Sequence, residues 1–253
     1  MNPNIIEKYQ ANYVSQYGFE ETMVFYRRRL LMERLEAVSP QVVVEIGCGT
    51  ELLYAEWLKH HEPMAQWIIV EPGATFAAAA RQANLPGLQV VEGFLQTKVD
   101  EIGALLARAP DLVICAGLLQ EVPDAAELLA GIRKLMGSST LLHVNVPNSN
   151  SLHRRIAKSM GLIDDVTQLS EQNIRFFQHR VYDAESLSTE IASSGFERCQ
   201  TGGYFVKPFT HAQMASIAPH LGPEVLNGLF QLGRELPELA SEIFAEAYKA
   251  GNG

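Results

Sequence analysis

A chain of 253 residues with 47% hydrophobic and 19% charged side chains can bury a large core, and it fits one α/β domain with additions better than two full domains. That balance is ordinary for a globular protein and argues against disorder. A formal net charge of -9 leaves no general basic footprint for a nucleic-acid backbone, so DNA and RNA drop out of the expected partners.

The opening residues, MNPNIIEKYQ, lack the basic start and apolar core of a signal peptide. No run along the chain approaches the roughly 18 apolar residues needed to cross a bilayer, so a cytoplasmic protein without a membrane partner is expected. Tyr9, Tyr13, Tyr17, Phe19 and Tyr26 precede YRRRLLMERL, in which Leu30, Leu31 and Leu35 have the spacing of a helix face packed on a sheet.

Val42 to Glu51, VVVEIGCGTE, then runs a strand that is apolar on both faces into Glu45 and two glycines, Gly47 and Gly49. Such a strand, turn and helix, the helix starting near Glu51, is how a Rossmann-like sheet opens a nucleotide pocket against bare backbone amides. A dinucleotide fingerprint would need a third glycine at Leu52, so NAD is disfavoured. A second strand, WIIVEP, ends at Glu71 and Pro72. Further strands read LQVV (88–91), DLVICAG (111–117) and TLLHVNV (140–146), separated by helical stretches, as a doubly wound sheet requires. Asp124 with Glu127 predicts a helix cap, Gly195 closes a helix over about 183–194, and Thr210 with Gln213 predicts a second capping box. SEIFAEAY, near 241–249, has the composition of a helix.

The E-x-G-x-G pattern at Glu45, Gly47 and Gly49, with a second strand ending in Glu71, resembles the class I S-adenosylmethionine (SAM) dependent methyltransferases from about Tyr26 to at least Phe209. The resemblance implies a doubly wound, Rossmann-like seven-stranded sheet with helices on both faces, and it turns 241–249 from helix to strand. It implies an N-terminal helical lid over 1–40, a SAM-binding domain over 41–253 and an acceptor-site insertion over 148–180, a connection too long for an ordinary loop.

By position, Glu45 and the Gly47, Cys48 and Gly49 backbone would meet the methionine carboxylate and ribose. Glu71 and Pro72 would meet the ribose diol, Gly93 and Phe94 the adenine, and Gly117 and Leu118 the methionine arm, with S-adenosylhomocysteine as product. Two departures stand out. Phe94 replaces the acidic residue that many members carry, and Glu51 replaces the third glycine, where its side chain must turn away or bind the cofactor ammonium.

The acceptor is expected to be a small molecule, methylated on a hydroxyl of a sugar or secondary metabolite. N-methylation, carboxyl methylation and a non-catalytic SAM-fold binding protein are the alternatives. His153 and His179 are the candidate bases, and Glu121, Asn148, Arg154, Arg155 and Tyr26 the candidate acceptor contacts. Tyr26 belongs to the lid, whose aromatics could cover the sulfonium. His143 reads as a core histidine, and His211 as structural, although KPFTH follows a strand and could reach the pocket. No clustered spacing for a metal site is evident. The three cysteines, Cys48, Cys115 and Cys199, form no disulfide framework. The oligomeric state is open, with a homodimer one option.

Overall fold

Seven strands form one sheet in the computed structural model, which describes residues 18–170, 173–174 and 178–251. They are β1 (Val42–Ile46), β2 (Gln66–Glu71), β3 (Leu88–Glu92), β4 (Leu112–Ala116), β5 (Leu141–Pro147), β6 (Phe196–Tyr204) and β7 (Glu242–Lys249). Their spatial order is β3-β2-β1-β4-β5-β7-β6. Strands β1 to β5 pair in parallel, and β7 lies antiparallel between β5 and β6. The order reverses between β1 and β4, and ligands of open α/β sheets bind outside the strand ends at that point.

Both faces of the central strands are dry. Val44, Ile46, Ile68, Val70, Val113, Cys115, Leu142 and Val144 belong to one apolar cluster, while Val43, Trp67, Ile69, Leu112 and Ile114 belong to a second on the other face. This period of two, apolar on each side, is why these segments read as continuous hydrophobic runs. The helices α1 (Glu20–Val38), α2 (Leu53–Trp57), α3 (Ala74–Gln82), α4 (Leu95–Leu105) and α5 (Ala125–Leu135) accompany the first five strands. After β5 come α6 (Leu152–Ser159), α7 (Ala184–Ser193), α8 (His211–Ile217) and α9 (Pro223–Glu235).

Local chemistry sets several of these ends. Asp124 accepts from the Glu127 amide at 2.9 Å to start α5, and Thr210 with Gln213 makes a full capping box at α8. Gly195, at φ +85°, follows α7. The helix after the first strand starts at Leu53 rather than near Glu51, because residues 47–52 are taken up by the turn off the sheet. The composition of 241–249 is overridden by packing: Ile243, Ala245 and Ala247 alternate into the core between two strands, so the segment is β7.

Helix α1 bridges two packing regions. Leu31 and Leu35 lie on the sheet, whereas Phe19, Met23, Tyr26 and Leu30 join Tyr204, Phe205, Met214 and Phe230 in a separate cluster. The Tyr26 ring stacks on Phe230 at 5.0 Å and its hydroxyl donates to Asn227 at 3.1 Å. Of the lid aromatics, Tyr9, Tyr13 and Tyr17 lie outside the described residues. Among the described residues, no helix is long and apolar enough to cross a membrane.

Candidate active site

The carboxyl ends of β1, β3 and β4 each extend by one rung into a glycine. The Gly47 amide donates to Val70, Gly93 to Glu71 and Gly117 to Asn145, at 2.9, 3.0 and 2.9 Å. At Gly47, φ is +77° and a Cβ would meet no atom within 4 Å, so the backbone turns away beside open space. A flat ligand can lie on bare backbone there.

Glu71 is built into the next strand end and is 6% exposed. One carboxylate oxygen accepts from the Cys48 amide at 3.1 Å and the other from the Gly73 amide at 2.7 Å. Burial raises its pKa, and those two amides act in the opposite direction. The Cys48 thiol also points at the first of these oxygens, at 3.7 Å, while the second keeps a further lone pair, so the fixed carboxylate can accept from a ribose hydroxyl. The Cys48 thiol beside it is pushed up by burial and by Glu71 and Glu45, which makes it a packed group rather than a nucleophile. Phe94 caps α4 with its backbone, without a side-chain hydrogen bond. Replacing Glu71 by alanine is expected to weaken SAM binding by about 1.5 to 3 kcal/mol, the worth of hydrogen bonds to a charged group. Calorimetry on folded variant checks it, and an unchanged dissociation constant would sink the ribose assignment.

Glu45 is also buried, and its carboxylate accepts from Trp67 Nε1 at 2.9 Å. Burial pushes its carboxyl up to about 7, opposed by that hydrogen bond and by Arg28. A raised acid stabilises the fold fully below its unfolded pKa and loses that contribution as pH rises through about 7. Between pH 5 and 8 the ligand-free protein should therefore lose on the order of 2 to 3 kcal/mol relative to Glu45→Gln. Urea unfolding at both pH values reads this directly, and parallel pH slopes would remove Glu45 as the source.

Glu51 turns outward. Its side chain is 76% exposed and 3.5 Å from Arg28 of α1, which also donates to the Glu51 and Leu52 carbonyls at 2.7 and 3.1 Å. The carboxylate that stands in place of the third glycine is thus drawn away from the pocket, and α1 clasps the loop.

On the acceptor side the predicted residues separate. Asn148 braces the chain, donating to Ala240 at 2.8 Å and Glu238 at 3.1 Å and accepting from the Asn150 amide. Arg154 donates to the Val166 and Gln168 carbonyls, and Arg155 to Asn150 Oδ1 at 2.9 Å. The two arginines hold the 148–180 insertion together, and Asn148 ties its start to the residues just before β7. His179 is exposed, with its amide on the Gln120 carbonyl at 2.8 Å, which ties the insertion to the loop after Leu118 and beside Glu121. His143 is fully buried against Glu246 at 3.0 Å, a core histidine. His153 touches Ser151 Oγ at 3.1 Å, and burial, then Lys207, His211 and Arg154, push its pKa down to about 2. So weak a base does not take a proton from a hydroxyl well.

A cluster that the motifs did not indicate occupies the same region. Arg27 donates through Nε to Glu242 at 2.9 Å, through Nη2 to the other Glu242 oxygen, and to Glu20 at 3.1 Å. Glu242 also receives the Tyr204 hydroxyl and the Asn145 amide, the latter at 2.7 Å. The Arg27 guanidinium is 3.6 Å from where a Cβ of Gly117 would lie, so the cluster borders the β4 end. Lys207, 2% exposed, lies within the field of Glu20 and Glu242. Among the described residues, two buried acceptors there have no donor, Asn145 Oδ1 and Gln120 Oε1, and Gln120 itself donates to the Gly117 carbonyl at 2.7 Å. The one sequence signal was charge in apolar surroundings, as in YFVKPF and at the head of β7. Among the described residues, no group of three or more metal-ligating side chains gathers.

A model of a methyltransferase domain family matches residues 21–201. Trans-aconitate 2-methyltransferase of Acidovorax sp. (strain JS42) is 25% identical over 161 residues, 60% of this chain and 58% of that protein, so the match spans little more than half of the relative. Among solved structures, the plantazolicin methyltransferase BamL, in complex with a triazolic desmethylPZN analogue and S-adenosylhomocysteine, superposes with a TM-score of 0.54 at 11% identity over 98% of this chain and 99% of that one. Human N-acetylserotonin methyltransferase, in complex with SAM, gives a TM-score of 0.53 at 14% identity over 88% of this chain and 52% of that one. With the strand order, the glycine turns and the Glu71 carboxylate in place, the chain belongs to the methyltransferase domain family and has the fold of the class I SAM-dependent enzymes.

Proposed function

We propose that this protein transfers a methyl group from SAM to an oxygen of a small molecule, a hydroxyl of the kind found on sugars and secondary metabolites. When bound, SAM supplies a methyl group that leaves its sulfur without the bonding electron pair, so a hydroxyl that gains the methyl must give up its proton. Gly47, Cys48, Gly49 and Glu71 hold the cofactor's ribose side, Gly93 and Phe94 its base and Gly117 its methionine arm. The acceptor is placed beyond that arm, between the β4 and β5 ends and the 148–180 insertion.

The observation that carries the hydroxyl is the pair of donor-less acceptors, Asn145 Oδ1 and Gln120 Oε1. A buried carbonyl oxygen left without a donor costs about 1 to 3 kcal/mol, and a hydroxyl supplies the donor where a carboxylate cannot. A carboxylate acceptor is the second reading, favoured by the relatives named for trans-aconitate.

Calorimetry with SAM, and with NADH as control, followed by mass spectrometry of reactions with hydroxyl, amine and carboxylate acceptors, tests the proposal. Micromolar SAM binding and methyl ethers as products are expected. Folded protein that ignores SAM would end the methyltransferase reading, and esters or methylamines alone would end the hydroxyl.

A further inference from the structure

Arg27 is held by one edge and keeps donors to spare on the other. Its Nε donates to one Glu242 oxygen at 2.9 Å, and its Nη2 donates to the other Glu242 oxygen and to Glu20, the latter at 3.1 Å. A guanidinium carries five N–H groups in a rigid plane, so these three contacts leave the two on Nη1. Among the described residues nothing accepts from them. The side chain is only 15% exposed, and a charged donor left dry without an acceptor is costly. Because Glu242 and Glu20 fix the plane, Nη1 is aimed in one direction.

That direction is the β4 end. Nη1 stands 3.6 Å from where a Cβ of Gly117 would lie, nearer than Cζ at 3.7 Å or Nε at 4.0 Å. A longer side chain at 117 would run into the guanidinium. The two acceptors that lack a donor belong to residues bonded to the same groups. The Asn145 amide shares with Arg27 Nε one Glu242 oxygen, at 2.7 and 2.9 Å, and the Gln120 amide reaches the Gly117 carbonyl at 2.7 Å. Spare donors and spare acceptors therefore meet around one glycine and one carboxylate. A small molecule that brings a hydroxyl to Asn145 Oδ1 or Gln120 Oε1 and an anionic oxygen to Nη1 satisfies both.

The neighbouring Arg28 turns the other way, onto the Glu51 and Leu52 carbonyls at 2.7 and 3.1 Å, beside the Gly47 and Gly49 turn assigned to the cofactor. Arg27 lies instead over the β4 and β5 ends, where the acceptor is placed. Lys207, in the field of Glu20 and Glu242, makes a second cation against those two carboxylates, so the cluster does not confront an added anion with an excess of negative charge.

We infer that Arg27 Nη1 binds a carboxylate of the acceptor, which makes the substrate a small hydroxy acid, gripped by its carboxylate and methylated on its hydroxyl. This rests on the hydroxyl reading above and names its substrate class. Arg27 is the residue that sets specificity, and its two carboxylate partners hold it ready before the substrate arrives, which lowers the cost of ordering it on binding.

The test titrates protein saturated with S-adenosylhomocysteine with glycolate, lactate, malate and salicylate, each beside its own amide. The Arg27 side-chain nitrogen-15 resonances, assigned by their loss in the variant, report the contact. At least one acid should shift them and bind about ten- to a hundredfold more tightly than its amide, the worth of hydrogen bonds to a charged group. The double variant Arg27→Met, Glu242→Gln, which removes both members of the buried pair, should lose that preference. So should Arg27→Lys, whose single ammonium cannot hold Glu242 and Glu20 and still reach the ligand. A merely structural arginine would leave the preference of acid over amide in place. Acid and amide bound alike, no acid that moves the Arg27 signals, or signals moved fully by S-adenosylhomocysteine alone each overturn the carboxylate contact and leave the hydroxyl reading standing. Mass spectrometry of the bound acid incubated with SAM should find a methyl ether, and methyl esters alone would end the hydroxyl reading and this inference with it.

Discussion

Replacing Arg27 by methionine is expected to cost about 3 to 5 kcal/mol, because it leaves Glu242 buried without its counter-charge. Glu242 is 4% exposed, and Arg27 supplies two of its hydrogen bonds. The remaining partners, Tyr204 and the Asn145 amide, are neutral. Desolvating a lone carboxylate costs more than two neutral donors return, so the variant should unfold at markedly lower urea. The double variant Arg27→Met, Glu242→Gln should recover most of the loss, since it removes the charge and keeps the Tyr204 and Asn145 contacts. A single variant within about 1 kcal/mol of wild type would mean that water reaches the pair and that the cluster is not the dry site described.

The second large effect concerns α9. A Cβ on Gly233 would stand 2.7 Å from Tyr204 Cα and closer still to the Phe205 amide. Those are backbone atoms, so nothing can swing aside and the helix itself must move off β6. Gly233→Ala should therefore destabilise by about 3 kcal/mol, at the upper end for overpacking. It should also weaken SAM binding, because the displaced strand end carries Tyr204, which holds Glu242 and Asn145 beside the β4 end. Thermal unfolding beside a SAM titration separates the two consequences. Full stability in the alanine variant would show that the helix is not pinned there.

What the sequence disclosed follows from how locally each feature is encoded. The strand ends assigned to the cofactor are nearly contiguous: Glu45 to Gly49 and Glu71 sit at consecutive strand ends, so one motif and one interval pick them out together. Gly93 and Gly117 announce themselves as residues that end strands. The Arg27 and Glu242 cluster is encoded at long range. Arg27 and Glu242 meet across 215 positions, and no spacing rule links them. His153 drew notice as an ionisable group in a long insertion, but the burial that lowers its pKa, and the charges of Lys207 and His211 that add to it, belong to tertiary packing that no local spacing records. Arg154, Arg155 and Asn148 stand out in sequence as polar and clustered, but their partners could not be read there: Arg154 reaches two carbonyls of the insertion, Arg155 the Asn150 side chain, and Asn148 the carbonyls of Glu238 and Ala240 some 90 positions away. The strand at 242–249 was legible only through resemblance, since its Ala and Glu content favours helix and only its partners reverse that.

The place of β7 in the sheet has a consequence for how the chain is made. Pro147 pairs with Glu242, so β5 waits for a partner that emerges from the ribosome some 95 residues later, about 5 to 20 seconds at ordinary rates of synthesis. During that interval LLHVNV is an open, apolar strand edge of the kind that invites pairing with another chain. The parallel half, β1 to β4, can close meanwhile, which gives the nascent protein a cofactor cradle before it has an acceptor site. Yield in a cell should accordingly depend on how quickly the last strand is delivered, and a substitution that hinders β7 should appear as aggregation before it appears as lost activity.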